Sequence, residues 1–377
     1  MKPRLRFNYN ENYSYELFKD VFQIKNTNSF SREELKSFGN FKNIHYGDIH
    51  TKLNKITNVQ STDLPYIAQE NEVKLTELCN DYDVLIADAS EDYSDIGKCI
   101  QLINVKNCVA GLHTILARPK YKSLYLTHLL SSWYVRKQFM KLACGAKVLG
   151  LSKSSLQKVV LPFPKLEEQN KIATFLNLYY KKIELQKKKI EQYKIKFINL
   201  FKFLLSKLKL FEVKPLGSLC EITTGKLDAN AMVNNGKYKF FTCAKEVYNI
   251  DKFAFDTEAL LISGNGANVG YIHYFKGKFN AYQRTYILDS FADNIQYIKM
   301  YLEINLPKRI KAEKNEGNTP YIVLSTLTEM NILVPAKDIQ DRLSECYLLF
   351  NQKINLEQQK LELLEKYKHG LLQKMFI

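Results

Sequence analysis

At 377 residues the chain is too long for one ordinary hydrophobic core, and two or three domains of roughly 100–200 residues each are expected. A hydrophobic fraction of 46% and a charged fraction of 25% exclude a disordered chain. The net charge of +16 speaks to partners rather than fold. Nucleic acid is the first candidate, because phosphates neutralised by Lys or Arg release counterions; a Lys-rich composition without a binding role is the alternative.

In chain order, Met1–Phe7 lacks the apolar run of a signal peptide, and no stretch reaches the roughly 18 apolar residues of a membrane span. Seven scattered Cys, an odd number, argue against a disulfide framework. Reduced thiols in a cytoplasmic protein are expected. The run 83–88 reads as an apolar strand ending in a turn, and 124–141 as a helix with Leu126, Leu129, Leu130, Trp133 and Met140 on one face. From Ile172 the seam Ile172, Leu176, Tyr179, Ile183, Gln186, Ile190, Tyr193, Phe197, Leu200, Leu204 alternates four and three, a coiled-coil heptad. No Gly or Pro interrupts residues 166–214, and forty-odd residues at about 1.5 Å each make a rod on the order of 60 Å. Residues 238–241 and 271–275 alternate like strands, and 295–314 reads as a second helix. The C-terminal seam Tyr347, Phe350, Ile354, Glu357, Leu361, Leu364, Lys368, Leu371, Met375 repeats the heptad in weaker form.

The two halves correspond. Val159–Pro162 matches Ile332–Pro335 at an offset of 173, and Lys182–Leu185 matches Lys353–Leu356 at 171. Gln186 and Glu357, the polar interruptions of the seams, share the offset of 171 and are expected to fix register. Residues 21–24 resemble 219–222, residues 83–88 resemble 258–264, and residues 111–116 resemble 283–288. Gly145-Ala-Lys147 and Gly317-Asn-Thr319 each precede a last short strand. A repeat this long means two copies of a domain-plus-helix unit rather than a short-period solenoid. The fold class expected is mixed α/β. Its domains are 1–164 (first globular domain), 165–212 (first long helix), 213–336 (second globular domain) and 337–377 (second long helix).

Pro162-Phe-Pro-Lys-Leu-Glu-Glu-Gln-Asn-Lys-Ile-Ala173 opening a long helix, and Gly370-Leu-Leu-Gln-Lys-Met-Phe376 closing the chain, resemble the specificity subunit of type I restriction-modification systems. Pro3–Phe7, Tyr46-Gly-Asp-Ile49 and Gly111-Leu-His-Thr114 also look like that family's first recognition domain. Ala336–Arg342 departs from the motif, since Glu-Glu-Gln is replaced there. The resemblance implies two target-recognition domains, each reading one half of a bipartite, asymmetric double-stranded DNA site with a non-specific gap. It implies an antiparallel coiled coil of the two helices, two docked methyltransferase subunits, and restriction (nuclease and motor) subunits. It implies no catalytic residue and no cofactor on this chain, with S-adenosylmethionine, ATP and Mg²⁺ belonging to the partners.

Physical reading of the residues agrees. Two rigidly spaced readers impose a fixed gap, because B-DNA repeats about every 34 Å. Residues 165–209 hold 12 Lys and 4 Glu, so the first rod could follow phosphates or be a solvated face. No phosphate loop exists, and Gly264-Asn-Gly266 with Gly270 reads as a turn rather than a dinucleotide fingerprint. The six His form no ligand cluster with Cys, so no metal site is expected. Base edges are read by Arg, Lys, Asn, Gln, Ser and Thr. The loop candidates are Lys52, Lys55 and Lys147 in the first domain, and Lys226, Lys245, Asn265, Arg284, Asn318 and Thr319 in the second. Each of these types also serves as ordinary solvated surface. The coiled-coil interface is expected at Ile172, Leu176, Ile183, Gln186, Ile190 and Phe197 against Ile354, Glu357, Leu361 and Leu364. The competing readings are the specificity chain of a related system that cuts on both sides of its site, a basic coiled-coil scaffold without sequence-selective DNA binding, and a nuclease acting through Glu72 and Lys74.

Overall fold

The computed structural model describes residues 3–7, 11–68, 73, 78–313 and 321–376. The chain forms two compact units, Met1–Leu185 with Leu361–Ile377, and Gln186–Lys360.

The first unit carries strands β1 (Ser14–Leu17), β2 (Phe22–Lys25), β3 (Leu35–Lys36), β4 (Lys42–Ile44), β5 (Ile56–Asn58), β6 (Tyr66–Ile67), β7 (Val84–Ala87), β8 (Ala89–Ser90), β9 (Cys99–Ile103), β10 (Cys108–Ala110), β11 (Thr114–Pro119), β12 (Leu149–Gly150) and β13 (Val160–Phe163). Its helices are α1 (Phe18–Val21), α2 (Tyr46–Thr51), α3 (Tyr125–Leu130), α4 (Trp133–Leu142), α5 (Lys153–Leu156) and the start of α6 (Leu166–Ser206). A five-stranded sheet, β2-β11-β7-β9-β5, lies beside a four-stranded one, β10-β4-β6-β3. Strand β7 reads as a continuous apolar run because both of its faces are buried. Val84 and Ile86 face a core shared with α3, α4 and the long helix, while Leu85 and Ala87 face a second core under α2.

The second unit adds β14 (Glu212–Pro215), β15 (Glu221–Thr224), β16 (Tyr238–Phe241), β17 (Tyr248–Ile250), β18 (Phe255–Ser263), β19 (Ile272–Ala281), β20 (Thr285–Asp289), β21 (Asn331–Val334), α7 (Ile295–Glu313), α8 (Leu324–Thr328) and the start of α9 (Lys337–Met375). One six-stranded sheet runs β15-β20-β18-β19-β16-β17. Leu260 and Ile262 pack on α7 and the long helices, and Ala259 and Leu261 on the opposite face.

The pairings show the repeat directly. Thr114 faces Ala87 and Thr285 faces Ser263. Ala117 faces Ile24 and Leu288 faces Ile222. The parallel pair β10–β4 recurs as the end of β19 against β16, with Ala110 beside Ile44 and Ala281 beside Phe241. Phe163 faces Ser14 as Val334 faces Glu212. The offset from β10 onward is therefore a uniform 171 residues.

This register corrects the sequence alignment at two places. Pro164, not Pro162, is the equivalent of Pro335. Gln169 Nε2 donates to the Pro164 carbonyl at 3.0 Å, and Gln340 Nε2 to the Pro335 carbonyl at 2.9 Å. The Gln of the Glu-Glu-Gln motif thus survives in the second copy, because it folds back onto a carbonyl just ahead of the helix. Similarly, Thr114 corresponds to Thr285 rather than Tyr286; a one-residue slip would turn every side chain of the strand to the wrong face. The single helix expected over 124–141 is two helices. The Ser132 side chain accepts from Val135 N and starts α4 afresh.

The heptad seam is present in both units. In the first, Ile172, Leu176 and Ile183 are buried, Ile172 and Leu176 share a core with Met375, and Tyr179 Oη donates to the Leu364 carbonyl at 3.3 Å. Leu361 and Leu364 are half-buried. In the second, Ile190, Phe197 and Ile354 are buried, and Phe197 meets Tyr347 and Phe350 at 5.6 and 5.4 Å between ring centres. As α6 advances, its partners on α9 recede, so the pairing is antiparallel. Gln186 Nε2 donates to Glu357 Oε2 and to its carbonyl, both at 2.8 Å. Lys189, Lys353 and Lys360 surround the same buried carboxylate at 3.1, 3.4 and 3.5 Å. These bonds and cations hold the Glu357 carboxyl down at about 2. One seam position departs from expectation: Phe201 is buried and Leu200 is exposed, because a 3.6-residue helix drifts off a strict heptad.

Candidate nucleic-acid interface

In the second unit, loops distant in sequence are stitched together by backbone. Gln283 N donates to the Leu227 carbonyl and Tyr282 N to the Phe241 carbonyl, both at 2.8 Å. Gly264 N donates to the Arg284 carbonyl at 2.9 Å, and Cys243 Sγ reaches the same oxygen at 3.3 Å. Asn268 Nδ2 donates to the Cys243 carbonyl at 3.2 Å. These ties bring Lys226, Lys245, Asn265 and Arg284 into one group. Lys226, Lys245 and Arg284 are exposed, and among the described residues none of the three has a carboxylate partner. Lys245 lies over the Tyr271 ring, 5.7 Å from its centre. Asn265 is half-buried and bridges to Tyr321 through backbone. Asn318 and Thr319 lie outside the described residues, as do Glu72 and Lys74.

In the first unit the corresponding loops are joined through α2. His45 Nδ1 accepts from Gly47 N at 3.1 Å and starts the helix, and His50 Nε2 meets the Ala89 carbonyl at 3.2 Å. Strand β8 pairs with β12, which follows the Lys147 loop. Lys52 and Lys147 are exposed, Lys52 with Asp48 Oδ1 at 3.6 Å. Lys55 sits differently. Its Nζ turns inward to donate to the Cys99 carbonyl at 2.9 Å, and burial pushes its pKa down. In this position it supports β9.

Sequence reasoning missed His113. Tyr46-Gly-Asp-Ile49 and Gly111-Leu-His-Thr114 meet here: the Tyr46 and His113 rings are 5.4 Å apart, edge to face. His113 Nδ1 lies 3.5 Å from Asp88 Oδ1, and the side chain is 51% exposed. Both motifs are legible in the sequence, and the fold is what places them together. Two other motif residues prove structural. Arg6 binds buried Glu168 through Nε–Oε1 at 2.9 Å and Nη2–Oε2 at 2.5 Å, tying Pro3–Phe7 to the helix start. Among the described residues no group of three or more His, Cys, Asp or Glu is placed to hold a metal ion, and no helix is long and apolar enough to cross a membrane.

Known proteins bear on this arrangement. The chain is 41% identical over 131 residues to the EcoDI type I restriction enzyme specificity subunit of Escherichia coli, covering 34% of this chain and 29% of that one. It is 23% identical over 305 residues to the MjaIX specificity subunit of Methanocaldococcus jannaschii, covering 70% and 71%. The alignment to the Escherichia coli protein thus spans less than a third of its length. A crystal structure of a type I restriction-modification S subunit from M. genitalium matches with a TM-score of 0.55 at 17% identity, over 100% of this chain and 99% of that one. A chain from a study of complex assembly and conformational transition of the type I system matches at 0.56 and 13% identity, over 98% and 99%. At those identities the likeness concerns the fold. The model of the type I restriction modification DNA specificity domain matches residues 10–194 and again residues 209–366, and the chain belongs to that family.

Proposed function

We propose that the chain is the DNA-reading subunit of a type I restriction-modification complex. It selects an asymmetric two-part site, with one half read by residues 1–164 and the other by residues 213–336. Residues 165–212 and 337–377 set a fixed gap between the halves. The observation that carries this reading is the loop group of the second unit, where Lys226, Lys245 and Arg284 are exposed and, among the described residues, form no ion pair; the carboxylate of Asp228, tied into these loops, accepts from Gln283 Nε2 at 2.9 Å. Uncompensated cations on backbone-fixed loops suit a polyanion, and Arg with Asn suits base edges.

The long helices carry a second feature. Leu178 and Leu185 are exposed on α6, at 64% and 57%, and Leu349 and Leu356 on α9, at 65% and 54%. Each pair is seven residues apart and the two pairs are 171 apart, so both helices present the same apolar face. Exposed leucines repeated in this way suit a docking surface. Two of them suit two copies of one partner, the methyltransferase subunit, with the restriction subunits joining for cleavage. Methyl transfer and cleavage belong to those partners, which is also where S-adenosylmethionine, ATP and Mg²⁺ would act.

Exchanging residues 1–164 for those of another family member tests the division of labour. The methylated motif should change in one half-site and keep its other half and its gap. A change in both halves would refute modular reading.

A further inference from the structure

We infer that His113 and Arg284 are one structural position in two copies, and that each supplies a base contact to its own half of the site. The inference rests on the DNA-reading role proposed above and adds which residues perform it. The equivalence is set by main chain, not by likeness of side chains. Gly111 N donates to the Ile44 carbonyl at 2.8 Å, and Tyr282 N to the Phe241 carbonyl at 2.8 Å. Asp88 N donates to the His113 carbonyl at 3.1 Å, and Gly264 N to the Arg284 carbonyl at 2.9 Å. Thr114 and Thr285 then open the next strand against Ala87 and Ser263. Residues 111–113 and 282–284 are therefore equivalent connections, pinned on both sides, although the positive φ of His113 is not shared by Arg284.

Both side chains are presented rather than used internally. Arg284 is exposed, and its guanidinium has no hydrogen-bond or ion-pair partner among the described residues; only its carbonyl is engaged. His113 is held at φ 57°, a left-handed conformation that suits Gly and is costly for His. The ring itself is half-exposed and presented to solvent on this loop. Asp88 lies beside Nδ1 and Tyr46 packs on the ring, while Nε2 makes no hydrogen bond to a described residue. A carboxylate beside one imidazole nitrogen fixes the ring's orientation and leaves the other nitrogen to the ligand.

The two positions differ in what they can read. Arg284 has the fork that pairs with guanine O6 and N7, the commonest specific contact in the major groove. His113 has one free nitrogen and makes one bond. The half-site read by the second domain is thus expected to hold a guanine at this position, strongly discriminated. The other half-site holds a base discriminated less sharply at the equivalent position.

Single-molecule methylomes test this in a methylation-free host carrying a type I methyltransferase gene from the same source with wild-type, His113→Ala, Arg284→Ala or Arg284→Lys forms of this chain. Wild type should give one two-part motif. Arg284→Ala should relax a single guanine in one half, with discrimination there falling about ten- to a hundredfold. Arg284→Lys should keep overall modification while losing much of that preference, because it retains the charge without the fork. His113→Ala should relax one position of the other half by about tenfold or less. A uniform loss of modification with the motif intact would mean phosphate contacts and would overturn the inference, as would relaxation in the same half by both variants. Absence of any motif with wild type would instead remove the DNA-reading role itself, and the inference with it.

Discussion

The two units solve one folding problem with different side chains. Both hold a sheet buried on two faces, a Gln that folds back onto a Pro carbonyl, and a long helix seated on the same core. Where β9 and β10 are separate strands, broken by Asn104 and Asn107 at φ 51° and 48°, β19 runs straight through with Gly277 at φ 126°. Where Glu168 pairs with Arg6, the second unit has half-buried Ile339. Where buried His128 Nε2 meets Asn177 Oδ1 at 2.6 Å, Lys299 Nζ meets Tyr347 Oη at 2.5 Å. The strand register and the helix starts are thus held in common, while strand continuity, internal polar contacts and exposed loops diverge. Divergent loops on a common frame are what two readers of different half-sites require.

The contrast at Glu168 gives the largest expected effect. Arg6→Ala leaves a buried carboxylate without its cation and should cost about 4 kcal/mol in the urea unfolding of the first unit. Ile339→Ala removes only half-buried apolar surface and should cost less than half of that. Equal losses would show that the ion pair is not what secures the helix start.

The contrast at His128 predicts greater acid sensitivity in the first unit, although burial also lowers the pKa of His273 in the second. Burial pushes His128 from 6.5 down to about 4. The unfolded imidazole takes up its proton below about 6.5, whereas the folded one resists until about pH 4. The stability it protects is therefore complete above pH 6.5 and is lost as pH falls from 6.5 to 4, on the order of 3 kcal/mol. Hydrogen exchange at pH 7 and pH 4.5 should show the first unit loosening more than the second. His128→Leu should flatten the difference, and an unchanged pH profile in that variant would contradict the assignment.

The leucine faces predict equivalence. Leu178→Asp and Leu349→Asp should each weaken docking of one methyltransferase copy by at least about 2 kcal/mol, roughly thirtyfold. Native mass spectrometry should then find complexes with one copy after either change and none after both. Retention of two copies in the double variant would remove these faces from the interface. The smallest effect concerns α5 and α8. The Ser152 side chain accepts from Ser155 N and starts α5, whereas Val323 at the equivalent position gives α8 no such bond. Ser152→Ala should cost about 1 kcal/mol and Val323→Ser should add a similar or smaller amount, both read from melting curves.

Much of this architecture was legible because it is periodic. The heptads of α6 and α9 and the recurrence of the apolar runs follow from helix and strand geometry alone. The registers were less legible. Pro162 and Pro164 look alike in sequence, and the strand pairing together with the bond from Gln169 decides between them. The break before α4 turns on one Ser side chain inside an otherwise amphipathic run. At the site, Lys226, Lys245 and Arg284 were visible as loop cations. The inward turn of Lys55 is not legible in sequence, because it is set by the neighbouring strand β9 rather than by its own surroundings in sequence. His113 was overlooked because a His is matched to an Arg only through the backbone that carries both.

The most direct test of the central claim is a single-molecule methylome of a methylation-free host. One strain carries a type I methyltransferase gene from the same source alone, and another carries it with this chain. A two-part motif with a fixed gap, modified on both strands only when this chain is present, is the predicted result. The same modification pattern in both strains, with both proteins produced and co-purifying, would contradict a DNA-reading role.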